Sequence, residues 1–220
     1  MLKFQPIEMP RGRKYGNNYY ITYSKKLNRN VTLYSQLEYH NFLTIEINPH
    51  IIDFCEQPLE IDVEIDNKRE KSIFDMWVAY DNGREEFQEV KYKKEIDIHT
   101  GNNNRGFHQI KKQKHWCDIN NYDYTIRTDN EIYLGPFYIS NLRFLYGLII
   151  RNDQCSYENY LKQIILHISN FKVTILYLTQ TMDLPIHTLF TSIAIGIYSG
   201  RLDADLNLTV FSYDTSIWIT

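Results

Sequence analysis

Cysteine is scarce in this chain of 220 residues: Cys55, Cys117 and Cys155 are scattered and odd in number. That spacing argues against a disulfide framework and a structural zinc site, and it fits a reducing cytosol. Histidine is present at His40, His50, His99, His108, His115, His167 and His187, but never at a His-x-x-x-His or His/Cys ligand spacing. A zinc hydrolase is therefore not expected. No glycine-rich loop ends in Lys-Ser/Thr, which argues against nucleotide hydrolysis. No stretch approaches the roughly 20 apolar residues of a membrane helix. The start, Met1 to Pro6, has no apolar signal-peptide core. The formal charge is only −3, so any affinity for DNA has to come from a local patch. These absences lead us to expect a soluble, cytoplasmic chain with no membrane partner.

What is present suits a globular fold. The size and a hydrophobic content of 43% allow one large domain or two small ones with a real core. The 18 tyrosines and 11 phenylalanines are high counts, better explained by packing than by base stacking. Residues 1–18, with Arg11, Arg13 and Lys14, read as a polar arm. Tyr19 to Tyr23 and Val31 to Tyr34 read as short strands around a turn. A helix runs from Ser35 to about Ile47 and stops at Asn48-Pro49. Ile51 to Phe54 and Leu59 to Ile65 are strand-like and flank Glu56-Gln57-Pro58. Residues 99–106 form a polar loop, Phe107 to Cys117 a basic helix, and Tyr122 to Arg127 a strand. Helical patterns dominate after about residue 140: Leu142 to Ile150, Tyr157 to Ile168, Val173 to Thr179 and His187 to Tyr198. Leu208 to Phe211 and Ile217 to Ile219 then read as a two-stranded wing. The expected fold is α/β, a mixed sheet flanked by helices (1–145), followed by a small α-rich, winged-helix-like domain (146–220).

The chemistry concentrates in one hairpin. Ile73 to Tyr80 is β-rich, Asp81-Asn82-Gly83 is a turn, and Glu85 to Tyr92 resumes strand character. Loop length decides what meets. A two-residue Asn82-Gly83 loop pairs Asp75 with Val90 and sends Glu89 to the other face. A three-residue loop with Gly83 in a left-handed G1 bulge pairs Asp75 with Glu89, and alternation then puts Lys91 on the Glu89 face. In the second case two carboxylates, the Val90 carbonyl and an amine converge where a divalent metal meets a phosphodiester. Mg²⁺, with Mn²⁺ as a substitute, suits so sparse an oxygen set. A charged, solvent-facing hairpin is the plain alternative. Glu38 carries the same ambiguity. Ser35-x-x-Glu38 fits a capping box with Glu38 bonded to the Ser35 amide, or Glu38 reaches toward Asp75 and Glu89 as a third carboxylate. Lys91, Lys93, Lys94, Arg105, Lys111, Lys112 and Lys114 outnumber Glu95 and Asp97 by five between 91 and 115. This basic segment is either a phosphate-tracking surface or a solvated helix face.

Taken in order, these pieces resemble the TnsA endonuclease subunit of heteromeric cut-and-paste transposases. The likeness runs through Val31 to Glu38, then Ile52 to Pro58. It continues through Ile73-Phe74-Asp75 and Phe87 to Lys91, and on to Tyr124 to Glu131. It implies a restriction-endonuclease-like core with Glu38, Asp75, Glu89 and Lys91 as catalytic set, using Mg²⁺. It also implies cleavage of the non-transferred strand at the 5′ side of each transposon end. The implied partners are double-stranded DNA, an integrase-like TnsB subunit and an AAA+ regulator, TnsC, reached through the C-terminal domain. The implied setting is a prokaryotic cytoplasm, at the nucleoid when on DNA. Some relatives carry Gln where this chain has Glu89. A stand-alone restriction or repair nuclease of the same fold, and a non-catalytic DNA-binding adaptor, are the competing expectations.

Overall fold

The computed structural model describes residues 3–8, 19–65, 68–96, 104–169 and 171–220. The chain divides into two compact units, Met1–Ile45 with Ile51–Ile132, and Glu46–His50 with Tyr133–Thr220. The second unit thus takes up the chain again at Tyr133. Residue 145 lies inside one amphipathic helix, Tyr138–Arg151, whose buried stripe of Leu142, Leu145 and Ile149 belongs to the second unit.

In the first unit, β1 (Tyr20–Ser24) and β2 (Arg29–Leu33) form a hairpin. Helix α1 (Gln36–Ile47) follows, and Asn48-Pro49 ends it. Then come β3 (Ile51–Glu56), β4 (Glu60–Ile65), β5 (Lys68–Ile73), β6 (Met76–Tyr80) and β7 (Glu85–Val90). Helices α2 (Lys93–Ile96) and α3 (Asn104–Asn120) lead to β8 (Asp123–Arg127) and α4 (Asp129–Ile132). The main sheet has the order β3-β6-β7-β8. Its β3–β6 and β6–β7 pairs are antiparallel and β7–β8 is parallel, so the α3 crossover makes the sheet mixed. Strands β4 and β5 form a separate ribbon.

The sheet and α3 close over Cys55, Trp77, Phe87 and Cys117, with Ile61, Val63 and Phe74 from the ribbon side. The Phe74 and Phe87 rings lie 4.4 Å apart. Phe4 packs edge-on to Trp77 at 5.1 Å and to Phe87 at 5.5 Å, and the Ile7 amide donates to the Gln57 carbonyl at 2.9 Å. Residues 4–8 of the expected polar arm are therefore part of the fold, because Phe4 is an apolar anchor. Arg11, Arg13 and Lys14 lie outside the described residues, as does most of the expected 99–106 loop; its last residues open α3.

The strand expected over 73–80 is broken. β5 ends at Ile73 with β4, β6 starts at Met76 with β3, and Asp75 sits in a bend between them. Two backbone bonds explain the break: the Phe74 amide donates to Leu59, and the Gln57 amide donates to the Asp75 carbonyl.

The second unit contains α5 (Tyr138–Arg151), α6 (Gln154–Ile168), β9 (Val173–Thr174), α7 (Ile175–Thr181), α8 (Ile186–Tyr198), β10 (Leu202–Ala204) and β11 (Ser216–Ile219). Its sheet is antiparallel in the order β10-β11-β9. Val173 and Thr174, expected to be helical, pair with β11, and the Thr174 side chain then caps α7. The expected strand over 208–211 is absent, and β11 pairs with β10 instead. Buried Asn141 supplies the reason. Its Nδ2 donates to the carbonyls of Leu206 and Thr209, and its Oδ1 accepts the Phe211 amide. A side chain thus satisfies backbone groups that a ladder would otherwise have to pair. Helix α8 is buried at every position from Thr188 to Ile197 except Phe190, which is partly covered, and it contains no lysine or arginine.

Candidate active site

The hairpin loop has three residues. The Tyr80 amide donates to the Arg84 carbonyl at 2.9 Å, and Gly83 donates to the Tyr80 carbonyl at 3.0 Å with φ at 84°. This is the left-handed position that glycine takes without strain. The ladder runs Ala79–Glu85, Val78–Glu86, Trp77–Phe87 and Met76–Gln88. One further step sets Asp75 opposite Glu89, and the Val90 amide donates to Asp75 Oδ2 at 2.7 Å. The two-residue alternative is thereby excluded.

Glu89 lies on the α3 side of the sheet and is wholly buried. Gln113 Nε2 donates to its Oε2 at 2.8 Å. Lys91 Nζ lies 2.7 Å from its Oε1, yet that oxygen has no hydrogen-bond partner. The contact is an ion pair. Burial pushes the Glu89 carboxyl up, the nearby Asp75 charge adds to this, and its pKa reaches about 8. Asp75 is also raised by burial, against the opposing pull of Lys91, the Val90 amide and a hydrogen bond with Glu89. Burial works against the Lys91 ammonium, but the Asp75 and Glu89 charges outweigh it and raise the amine.

Glu38 combines a part of each expectation, and the capping bond it makes is not the expected one. Its amide donates to Ser35 Oγ at 3.1 Å, so Ser35 caps α1. The return bond goes from the Tyr34 amide to Glu38 Oε2 at 3.0 Å, not from the Ser35 amide. Burial and then the Asp75 charge raise Glu38 to about 7, so it belongs to the same electrostatic cluster. Gln57, a left-handed non-glycine at φ 39°, ties the parts together. Its Nε2 donates to Glu38 Oε2 at 3.4 Å, while its amide holds the Asp75 carbonyl at 3.1 Å. Such a backbone costs on the order of 1–3 kcal/mol and persists where surrounding structure holds it.

Among the described residues, no three His, Cys, Asp or Glu side chains converge as a ready metal cage. What the fold brings together is the Asp75–Glu89 pair, with Glu38 as an electrostatic neighbour. Hard oxygen donors, one of them buried without a donor of its own, fit a hard cation such as Mg²⁺, which completes its shell with water.

The basic segment divides. Lys93 and Lys94 are exposed on α2, with Lys94 Nζ 5.4 Å from the Tyr92 ring centre. Lys111 and Lys114 are exposed on α3, Lys114 lying 3.6 Å from Asp118. Lys112 turns inward, is buried, and pairs with Glu70, which withdraws it from a DNA surface. The Arg105 side chain lies outside the described residues. Gln113 was not foreseen. Its signal is helical spacing: Ile110, Gln113 and Cys117 share the buried stripe of a polar helix, and a glutamine there needs partners.

Fold and site together define a class, a mixed α/β domain with a buried carboxylate pair and an amine beside the end of one strand. Residues 48–129 match the family model described as TnsA-like endonuclease N terminal, and the match supports a TnsA-type endonuclease. The span runs from β3 through β8 and contains Asp75, Glu89, Lys91 and Gln113, whereas Glu38 precedes it. No curated protein matches the chain. No helix among the described residues is long and apolar enough to cross a membrane.

Proposed function

We propose that this chain is the Mg²⁺-dependent endonuclease subunit of a heteromeric transposase, cutting the non-transferred strand at the 5′ side of each transposon end. The observation that carries the proposal is the Asp75–Glu89 pairing beside Lys91, inside the segment that matches the TnsA-like family. The mixed sheet with its α3 crossover supports a restriction-endonuclease-like core. Asp75, Glu89 and the Val90 carbonyl would hold Mg²⁺ (or Mn²⁺), with Glu38 adding negative charge. When bound, the ion supplies positive charge to the phosphate and lowers the pKa of water.

The chain's own groups define the rest. Lys91, raised by two carboxylates, keeps its proton at neutral pH. It therefore serves as a cationic donor to a phosphate oxygen rather than as a general base. Glu38 and Glu89, with values of about 7 and 8, hold protons near neutrality that a bound cation would displace. Exposed Lys93, Lys94 and Lys111 offer contacts to the DNA backbone.

In the second unit, the order of helices, short strand, two further helices and a strand pair supports a winged-helix-like module. The buried, lysine- and arginine-free α8 argues against groove reading by that helix. Exposed Leu166 and Phe171 favour a protein-contact role, which we assign to the AAA+ regulator; an integrase-like subunit would cut and join the other strand. The test uses the assembled transposase on transposon-end DNA. Asp75→Ala is expected to abolish 5′-strand cleavage and to leave 3′-strand joining by the partner intact. Normal 5′ cleavage by that variant would sink the proposal.

A further inference from the structure

Gln113 is fully buried and fully engaged. Its Nε2 lies 2.8 Å from Glu89 Oε2, 3.1 Å from Ser72 Oγ and 3.1 Å from the Ile73 carbonyl, and its Oε1 accepts the Tyr124 hydroxyl proton at 2.7 Å. The amide has one workable orientation. Turned over, it would set its carbonyl oxygen against the Glu89 carboxylate and the Ile73 carbonyl. Three elements meet in this one side chain: the end of β5, which leads into Asp75; β7, which carries Glu89; and β8, which carries Tyr124.

We infer that Gln113 is a positioning residue for the proposed cleavage: it holds Glu89 Oε2, with Tyr124 engaging its other end, so that Oε1 stays on the Lys91 side, turned to take a metal cation beside that ammonium. The inference rests on the nuclease reading of this site. A carboxylate rotates about its last torsion with little resistance. One fixed neutral donor on Oε2 removes that freedom without neutralising the charge a metal needs, which is how outer partners tune ligating groups. A lysine or arginine in the same place would compete with the cation. A glutamine does not.

The test compares Gln113→Met, which keeps the shape but removes both amide functions, with Tyr124→Phe, which removes only the orienting hydroxyl. Two readouts are taken. One is 5′-strand cleavage by the assembled transposase as a function of Mg²⁺ and of DNA. The other is the rise in melting temperature that Mg²⁺ alone gives the isolated chain. For Gln113→Met, kcat is expected to fall about 10–100-fold and half-saturating Mg²⁺ to rise about tenfold, with KM for DNA unchanged. The Mg²⁺-induced thermal shift should shrink in step. Tyr124→Phe should act in the same direction by a few fold. A folded Gln113→Met with unaltered Mg²⁺ dependence in both readouts overturns the inference. If Gln113→Met does not fold, Tyr124→Phe decides by the same criteria. A wild-type complex that fails to cut counts against the nuclease reading alone. The thermal shift then judges Gln113, its loss in the variant supporting the role and its retention overturning it.

Discussion

Strand β7 carries two buried glutamates on opposite faces, and they differ in kind. Glu86 accepts from the Tyr80 hydroxyl at 3.0 Å, Gln88 Nε2 at 2.6 Å, Thr125 Oγ1 at 3.2 Å and the Arg84 guanidinium. Asn41 on α1 and Arg127 on β8 extend this network through Gln88. Glu89 has a donor in Gln113, an ion-pair partner in Lys91, and a second carboxylate, Asp75, beside it. Burial is similar, so burial does not mark the site. A shortage of donors beside a like charge does. Glu86 is satisfied by hydrogen-bond donors on every side, whereas Glu89 shares the single Lys91 charge with Asp75.

The comparison predicts opposite failures. Asp75→Ala should reduce 5′-strand cleavage by about a thousandfold or more, the scale expected when a charge-stabilising contact to the reacting phosphate is lost. Its melting temperature should change little, because losing a like charge beside Glu89 offsets losing the bond from the Val90 amide. Glu86→Leu should do the reverse. It strands Tyr80, Thr125, Gln88 and Arg84 and should cost about 3 kcal/mol in denaturant unfolding, with cleavage per folded molecule unchanged. Loss of cleavage from fully folded Glu86→Leu would erase the distinction between the two faces.

Acidity offers a gentler probe. Glu38 and Glu89 both have folded-state pKa values above the ordinary 4.5, near 7 and 8. The folded state thus holds protons that the unfolded state has released. Their contribution to stability is full below about pH 4.5, falls as pH rises through that window, and is gone above about pH 8. Mg²⁺ competes with those protons. It should therefore raise the melting temperature by several degrees at about pH 8.5 and by little at about pH 5.5. Asp75→Asn removes the charge that raises both glutamates and should flatten the pH dependence; an unchanged slope would show that Asp75 does not couple them.

Much of this contrast was legible from local chemistry. Asp81-Asn82-Gly83 narrows the hairpin to two loop lengths, and the Tyr80–Arg84 bond of the fold selects the three-residue one that joins Asp75 to Glu89. Ser35 and Asn48-Pro49 bracket α1 for equally local reasons. What escaped depends on partners remote in sequence. The β5–β6 break at Asp75 is imposed by Gln57 and Leu59. Lys112 and Lys111 are neighbours of one type, and only the packing of α3 against the β4–β5 ribbon turns Lys112 inward. Gln113 reaches Glu89 across 24 positions, and Asn141 replaces a strand ladder 65 to 70 residues away. Periodicity reports which face is buried, not which polar group on that face finds a donor.

Glu38 lies between the two glutamates of β7 in character, and it gives the smallest effect and the finest test. Like Glu86 it has a structural bond, from the Tyr34 amide; like Glu89 it is raised by burial and by Asp75. Glutamine at the third helical position can still accept from a backbone amide, so Glu38→Gln keeps the cap and removes the charge. Glu38→Ala loses both. We expect Glu38→Ala to cost about 1 kcal/mol in unfolding at about pH 5.5, where the charge is largely neutralised, and Glu38→Gln to cost a few tenths or less. Both should impair Mg²⁺-dependent cleavage to a similar degree if the charge is what the reaction uses. Retention of full cleavage by Glu38→Gln would place Glu38 with Glu86, as a structural carboxylate that happens to stand near the site.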